Sequence, residues 1–153
     1  ELETYWPIMI SFHQKRWQAE GKKGAFSSTE FFDFHKSILN SNQQITPLFS
    51  VLLVNNKAAA IHYYLAIGDT LHFYQSGWDS TAMTGFSPGL SLHIWSIKNN
   101  PYQYYDFMMG NKADSYKSQF GCELKAMLNV KAINSPFRLL LHKLIIKVSN
   151  NIG

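Results

Sequence analysis

Three β-type segments separated by two-residue turns constrain the fold of this chain most strongly. Residues 47–54, 57–67 and 70–77 are short apolar runs rich in β-branched and aromatic side chains. Asn55-Asn56 and Gly68-Asp69 stand between them, and residues of these types tolerate the positive φ angles of tight hairpin turns. We therefore predict an antiparallel meander of three strands, with a register that the short turns fix.

A helix and a fourth strand are expected after the meander. Ser87 is a good N-cap, Pro88 suits the first helical position, and residues 102–108 are typical of a strand. A strand, a helix and a strand in this order imply a parallel crossover between the third and fourth strands. The helix is apolar over a wide arc, which favours burial against the sheet. The side chains expected to be buried there are Leu90, Leu92, Ile94, Trp95 and Ile97.

Further helices are expected around these strands. Residues 3–20 carry apolar side chains at helical spacing, and Ser27 with Glu30 has the spacing of a capping box that begins a second helix. Three more elements are expected later in the chain: a short helix over 114–120, a fifth strand over 122–133 and a last helix from Ser135. The sequence thus predicts an α+β fold, with a mixed twisted central sheet flanked by helices, as a single domain over residues 1–153.

Charge and cysteine content narrow the classes of function. The net charge of +4 favours anionic partners such as nucleotides, phosphates, nucleic acid or a membrane face, and a plain surplus of lysines on the surface is the alternative. No basic run is long enough to predict a nucleic-acid-binding arm, so no DNA partner is expected. No apolar segment approaches the roughly 20 residues that cross a bilayer. The single cysteine, Cys122, excludes an internal disulfide and fits a reducing compartment, so we expect a cytoplasmic protein.

The residues that begin the predicted helix also predict an anion site. Gly89 has no side chain, so a ligand can approach the backbone closely. The amides of Gly89 and Leu90 and the positive end of the helix would then bind a phosphate. A well-capped helix without a ligand is the alternative. The six histidines show no paired spacing typical of a metal site, so no metal cofactor is expected.

Four short segments are informative only as an ordered set. They are Tyr74-Gln75-Ser76-Gly77-Trp78-Asp79, then Phe86-Ser87-Pro88-Gly89-Leu90, then Asp106-Phe107 with Gly110, then Tyr116-Lys117 with Phe120-Gly121. Together with the early segment 13–17, which includes Arg16-Trp17, this set resembles the CelD-like and FemAB-like branch of the GNAT acyltransferase superfamily. The resemblance covers nearly the whole chain and implies the GNAT fold, whose order of strands and helices agrees with the one predicted above.

The resemblance implies a donor held between the third and fourth strands, which splay apart at their ends. The donor would be acetyl-CoA or another acyl-CoA, and the acceptor an amine of a small molecule, sugar or peptide. The pantetheine arm would lie along the third strand, and the pyrophosphate on the loop that begins the helix. The residues implied for donor binding are Phe73, Tyr74, Gln75, Ser76, Gly77, Phe86, Ser87, Pro88, Gly89 and Leu90.

The resemblance also implies three catalytic residues. Tyr116 lies where many GNAT enzymes carry the tyrosine that protonates the departing thiolate. Lys117 resembles the lysine that FemAB-like enzymes use near the donor or the transferred group. Asp106, on the fourth strand, is the candidate base or amine-orienting carboxylate. Each residue also has a plain structural interpretation: a packing aromatic, a solvated charge, and a carboxylate bonded to nearby amides.

Other functions stay open at this point. In the tRNA-using branch an aminoacyl-tRNA replaces acyl-CoA as the donor. The segment 86–90 carries fewer glycines than is common in the superfamily, which leaves a non-catalytic binding module with the same fold as an alternative. FemAB-like proteins usually have two such domains, and the chain starts with Glu1 rather than methionine, so a further N-terminal domain of the same protein is expected. A third alternative, a stacking surface for single-stranded nucleic acid, rests on the aromatic residues of the strands.

Overall fold

A computed structural model describes residues 2–40, 44–82, 85–108, 116–126, 128, 130 and 135. The chain divides into two units, Glu1–Lys117 and Ser118–Gly153. The elements in chain order are α1 (Leu2–Ala19), a 3-10 helix (Ala25–Ser27), α2 (Thr29–Leu39), β1 (Ile45–Val54), β2 (Lys57–Ile67), β3 (Thr70–Trp78), α3 (Pro88–Asn99), β4 (Tyr104–Asp106) and a second 3-10 helix (Tyr116–Phe120). The fold class is α+β, as the sequence predicts.

The four strands form one mixed open sheet in the order β1-β2-β3-β4. The pairs β1–β2 and β2–β3 are antiparallel, and β3–β4 is parallel, so both the meander and the crossover through α3 are confirmed. Asn55 and Asn56 have φ angles of 50° and 60°, the two positive values that a tight hairpin turn requires.

The sheet has two differently covered faces because the side chains of β2 alternate. Ile61, Tyr63 and Leu65 pack with buried residues of α1 and α2, in a core rich in aromatic rings. Tyr64 and Ala66 point the other way, toward the side that α3 covers. We call these the α1–α2 face and the α3 face.

A β-bulge interrupts the pairing of β3 with β2. Tyr63 lies opposite Gln75 and Tyr64 lies opposite Phe73, so Tyr74 is the extra residue. A bulge bends the strand that carries it and places two successive side chains on the same side. The bend therefore falls in the middle of β3.

The parallel ladder between β3 and β4 is short. It ends at the pair His72 and Asp106, while β3 continues to Trp78. Within the described part of the chain, no strand pairs with the outer edge of β3 beyond His72. We call the opening between residues 73–78 and residues 107–108 the fork, and its β3 side presents backbone N–H and C=O groups as any strand edge does.

The helix α3 buries a different face from the one predicted. Its buried residues include Leu92, as expected, but also His93 and Ser96. The expected apolar residues Ile94, Trp95 and Ile97 are 44%, 56% and 39% exposed. The reason is hydrogen bonding: strand residues on the α3 face present tyrosine hydroxyls, and polar side chains that find such partners can be buried at little cost.

The second helix begins one residue later than predicted. Ser28 is the N-cap of α2, where its hydroxyl accepts from the N–H of Phe31 at 3.2 Å and donates to Glu30 at 2.7 Å. Ser27 lies in the 3-10 helix, and its hydroxyl donates to the carbonyl of Gly24. Only Ser27 has the capping-box spacing to Glu30, but it lies inside the 3-10 helix, so Ser28 caps α2 instead.

In the second unit, residues 122–126, 128 and 130 belong to no strand, so the predicted fifth strand is wrong for them. Leu124, Leu128 and Val130 are each more than 80% exposed. A strand needs a paired neighbour, and apolar spacing alone supplies none. The predicted last helix lies outside the described residues apart from Ser135, and the single domain over 1–153 stays a prediction. In the described part of the chain, no helix is long and apolar enough to cross a membrane.

Candidate functional site

Two of the predicted site residues, Lys117 and Phe73, lie close together where β3 and β4 separate. The ammonium of Lys117 donates to the carbonyl of Phe107, just after β4, at 2.6 Å. The same ammonium lies 5.9 Å from the ring centre of Phe73 on β3. Both phenylalanines are buried and Lys117 is half-buried. Lys117 therefore stands at the closed end of the fork.

Tyr116 lies at the end of a chain of hydrogen bonds that begins on β4. Its hydroxyl is 3.1 Å from Nε2 of His93 on α3, and Nδ1 of the same ring is 2.7 Å from the hydroxyl of Tyr105. The ring of His93 also packs on Phe73 and Phe107, with ring centres 4.4 and 5.0 Å away. His93, which the sequence interpretation left out of the site, thus connects Tyr116 to the fork.

Burial keeps the three hydrogen-bonded side chains, Tyr105, His93 and Tyr116, uncharged at neutral pH. It lowers the pKa of His93 to about 4, and the nearby charge of Lys117 acts in the same direction. Burial raises the pKa of Tyr105 and of Tyr116, although the charge of Arg16 partly opposes the effect on Tyr116. A neutral imidazole has one N–H and one acceptor nitrogen, so His93 accepts a hydrogen bond from one tyrosine hydroxyl and donates one to the other.

A second polar cluster extends the network inside the α3 face. The hydroxyl of Tyr64 lies 2.8 Å from that of Ser96 and 3.1 Å from Nδ1 of His62, and Ser96 also bonds to Ser50 at 2.9 Å. The rings of His62 and His93 are 4.4 Å apart. Burial lowers the pKa of His62 well below its usual value, so this cluster is neutral as well.

The N-terminus of α3 leaves backbone donors open. Ser87 occupies the N-cap position, but its side chain makes no capping bond. The first helical hydrogen bond runs from the N–H of Ser91 to the carbonyl of Ser87, and Pro88 has no N–H. No described residue accepts from the N–H groups of Gly89 or Leu90. The predicted anion site therefore has two available amides at the positive end of a helix.

The side chains predicted along β3 divide between the two faces. Phe73 contacts His93, and Ser76 lies directly opposite His62, so both belong to the α3 face. Tyr74 packs on His35 of α2, with ring centres 4.8 Å apart. Only the backbone of β3 beyond Phe73, rather than a continuous row of side chains, borders the fork along its length.

Three other predicted donor residues lie away from the α3 face or in solvent. Gln75 lies close enough to His13 of α1 to raise the pKa of its imidazole, against the larger lowering by burial. Gly77 is pressed against α1, since a Cβ there would stand 2.6 Å from the carbonyl oxygen of Met9. Phe86 is 70% exposed. Gly77 is thus explained by packing, whereas Gly89, whose added Cβ would meet only Nε2 of His62 at 3.6 Å, is not.

Asp106 takes a different position from Tyr116 and Lys117. Its carboxylate lies 3.1 Å from Nδ1 of His72 and accepts the N–H of Met108 at 2.7 Å. His72 lies opposite Leu65, so this pair faces the α1–α2 side of the sheet at the closed end of the fork. A carboxylate at Nδ1 fixes the tautomer that leaves Nε2 as an acceptor.

The sequence held only a partial signal for the histidines of the site. His93 and Ser96 lie three residues apart on one side of α3, which marks a polar stripe beside the apolar arc. His62 and Tyr64 alternate with apolar residues of β2 and so share a face. His72 gave no signal, because its pairing with Asp106 depends on the parallel register.

The site holds no metal-binding group of side chains within the described residues. Residues 3–118 match the family model described as acetyltransferase (GNAT) domain. The matched segment includes every helix and strand of the first unit and ends just after Lys117. Comparisons with curated proteins and with solved structures gave no match.

Proposed function

The chain belongs to the GNAT acetyltransferase domain family, and from this membership we propose that it transfers an acyl group from acyl-CoA to an amine. One observation carries the proposal: the β3–β4 ladder ends at His72 and Asp106 while β3 runs on, beside a helix N-terminus with open amides. A strand edge and a helix N-terminus together match the amides and the pyrophosphate of CoA.

The donor would lie along the fork. The pantetheine arm carries two amide groups, which pair with the outer backbone edge of residues 73–78 as an added strand would. The pyrophosphate binds the amides of Gly89 and Leu90. The thioester then reaches the closed end of the fork, between Phe73 and Phe107. The ammonium of Lys117 is placed there to donate to the thioester oxygen as negative charge develops on it.

Tyr116 serves as the acid for the leaving group. The high pKa of its hydroxyl, raised by burial, keeps the proton in place until the sulfur becomes basic. Tyr105 donates to Nδ1 of His93, and the Nε2–H of His93 donates to the hydroxyl oxygen of Tyr116. In this tautomer the proton of Tyr116 is free to point at the sulfur.

The amine would approach from the α1–α2 face, where His72 and Asp106 lie. Nε2 of His72, oriented by Asp106, accepts the proton that the amine loses as it attacks. A C–N bond forms and the C–S bond breaks. The thiolate takes the proton of Tyr116, so the products are an amide and free CoA. Asp106 thereby acts as the orienting carboxylate rather than as the base itself.

The experiment measures donor binding and turnover by the full chain. Acetyl-CoA at 100 times its Kd is expected to stabilise the protein by about 2.7 kcal/mol, which appears as a higher melting temperature. Release of the CoA thiol, followed with a thiol reagent and a panel of amines, reports transfer.

The outcomes separate the rival functions. Stabilisation without thiol release for any amine indicates a binding module. Stabilisation by aminoacyl-tRNA but not by CoA indicates the tRNA-dependent reaction. If neither donor has any effect, the proposal is wrong. A cytoplasmic location is part of the proposal, because Cys122 is the only cysteine and acyl-CoA is a cytoplasmic metabolite in most cells.

A further inference from the structure

An arginine lies between two tryptophans beside the far end of β3. The guanidinium carbon of Arg16, near the end of α1, is 4.6 Å from the ring centre of Trp78 and 5.1 Å from that of Trp17. The indole N–H of Trp17 donates to Nε2 of His13 at 2.8 Å, and Trp78 is the last residue of β3. The hydrogen bond to His13 orients the Trp17 ring, and the guanidinium contacts both indole rings.

One polar atom of Arg16, the Nε, is not satisfied within the described part of the chain. Its Nε is buried and has no hydrogen-bond partner there, and no described carboxylate forms an ion pair with it. The acidic residues close in sequence are engaged elsewhere. Glu20 pairs with Lys22 at 2.9 Å, and Asp79 accepts both the N–H and the hydroxyl of Thr81.

An unsatisfied buried guanidinium N–H is costly, so its retention calls for an explanation. The two indole faces attract the positive charge, but they offer no lone pair to the N–H groups. A guanidinium presents its N–H groups as a planar fork, which fits the two oxygens of a carboxylate or phosphate. The guanidinium of Arg16 is therefore suited to bind an oxyanion.

The position of α1, which carries Arg16, indicates which substrate would carry this oxyanion. The proposed pyrophosphate site is at the start of α3, whereas Arg16 comes from α1, which packs with Ile61 and Tyr63 on the α1–α2 face and reaches Trp78 at the end of β3. The amine is also proposed to enter from the α1–α2 face, beside His72. The charge of Arg16 also acts on Tyr116, where it partly opposes the effect of burial on the pKa of the hydroxyl.

We propose that Arg16 binds an oxyanion of the acceptor, so that the acceptor is an amine that also carries a carboxylate or a phosphate. The assignment of the bound molecule as the acceptor rests on the proposed acyl transfer, whereas the anion site itself does not. Arg16 is a specificity residue and takes no part in the bond changes.

The test is a binding titration followed by tryptophan fluorescence, since Trp17 and Trp78 flank the site. The probes are two matched pairs: N-acetylglycine with N-acetylglycinamide, and glucosamine 6-phosphate with glucosamine. The wild-type protein is expected to bind at least one anionic probe about tenfold or more tightly than its neutral partner, since a charge-assisted hydrogen bond is lost in the neutral one.

Variants assign the effect to Arg16. Arg16→Gln is expected to remove the preference for the anionic probe, and Arg16→Lys to keep part of it. Lys15→Gln is the matched control, because Lys15 is the exposed neighbour on α1 and loses the same charge. The melting temperature of each variant checks folding, and if Arg16→Gln does not fold, the comparison uses Arg16→Lys.

CoA binding, read separately by the shift in melting temperature, keeps the two proposals apart. Loss of CoA affinity in Arg16→Gln without loss of the anionic preference assigns the arginine to the donor and overturns the inference. Equal binding of anionic and neutral probes by the wild type, or no binding of any probe, also overturns it. Anion binding without CoA binding retains the anion site and refutes the acyltransferase function.

Discussion

Substitution of Gly89 by alanine separates donor binding from folding more cleanly than any other change in the site. Gly89 is the second residue of α3, and an added Cβ would meet only Nε2 of His62, at the ordinary contact distance of 3.6 Å. The Cα–Cβ bond of a helical residue tilts toward the helix N-terminus. The new methyl group would therefore lie beside the amides proposed to bind the pyrophosphate.

The substitution is expected to leave the fold as stable or slightly more stable, and to weaken the binding of CoA. Alanine is a better helix former than glycine by up to about 1 kcal/mol, so the melting temperature should stay the same or rise by up to about 4 °C. Displacing the pyrophosphate weakens hydrogen bonds between backbone N–H groups and a charged ligand. Each such bond contributes about 1.5–3 kcal/mol, so the Kd for CoA should rise about tenfold to a hundredfold.

Gly77→Ala is the matched control. A Cβ at Gly77 would lie 2.6 Å from the carbonyl oxygen of Met9 and 2.8 Å from the backbone nitrogen of His13, so α1 would have to move. Overpacking of this kind costs about 1–3 kcal/mol, and the melting temperature without ligand should fall by several degrees.

The assay is calorimetric titration of each variant with CoA, together with thermal unfolding without ligand. Unchanged CoA affinity in Gly89→Ala would refute the assignment of the pyrophosphate to the amides of α3. A Gly77→Ala protein that melts at the wild-type temperature would refute the packing explanation of that glycine.

Three further predictions concern the proton-transfer groups and stability. Tyr116→Phe should lower kcat for thiol release about 100-fold or more while leaving the Kd for CoA unchanged, and an unchanged kcat would argue against its role as acid. His72→Gln should lower kcat/KM for the amine without affecting CoA affinity by titration, and loss of CoA affinity instead would place His72 in the donor site. Burial lowers the pKa of His35 and His93 from 6.5 to about 4 in the folded protein, so their contribution to stability is present above pH 6.5 and is lost as the pH falls toward 4. Urea unfolding at a series of pH values measures this loss, and a flat free energy of unfolding between pH 7 and pH 4.5 contradicts it.

The parts of the fold that depend on local chemistry could be predicted from the sequence. Asn55-Asn56 accepts two positive φ angles, and this local requirement fixed the first hairpin, although the register shifts between Leu52 and Leu53. Pro88 marked the start of α3, since a residue without an N–H fits that position best. Such features need no knowledge of distant residues.

The buried face of α3 could not be predicted in the same way. Either its apolar residues or its polar pair, His93 and Ser96, could be buried against the sheet. The outcome depends on whether hydroxyl groups stand opposite, and those of Tyr64 and Tyr105 come from two strands far apart in the chain. Hydrophobic periodicity considers only the apolar side chains of the helix and does not include hydrogen-bond partners from other strands.

The pairing of His72 with Asp106 was hidden for a related reason. The two residues are 34 positions apart, and a shift of one residue in the parallel register would turn one of the two side chains to the other face. The sequence indicated Asp106 as a candidate but not its partner. The roles that we propose for Asp106, Tyr116 and Lys117 stay predictions until the variants are measured.

The bulge at Tyr74 connects the packing of the domain with the chemistry of the site. Because Tyr74 is an extra residue, Gln75 and Gly77 face α1, and Ser76 faces α3. Without the bulge, the alternation would place Ser76 against α1, where even a Cβ is too close to the backbone of the helix. The bulge thus places Gly77, which has no side chain, against α1 and allows the helix to approach β3 closely. Deletion of Tyr74 is therefore expected to disrupt this close packing of α1 on β3.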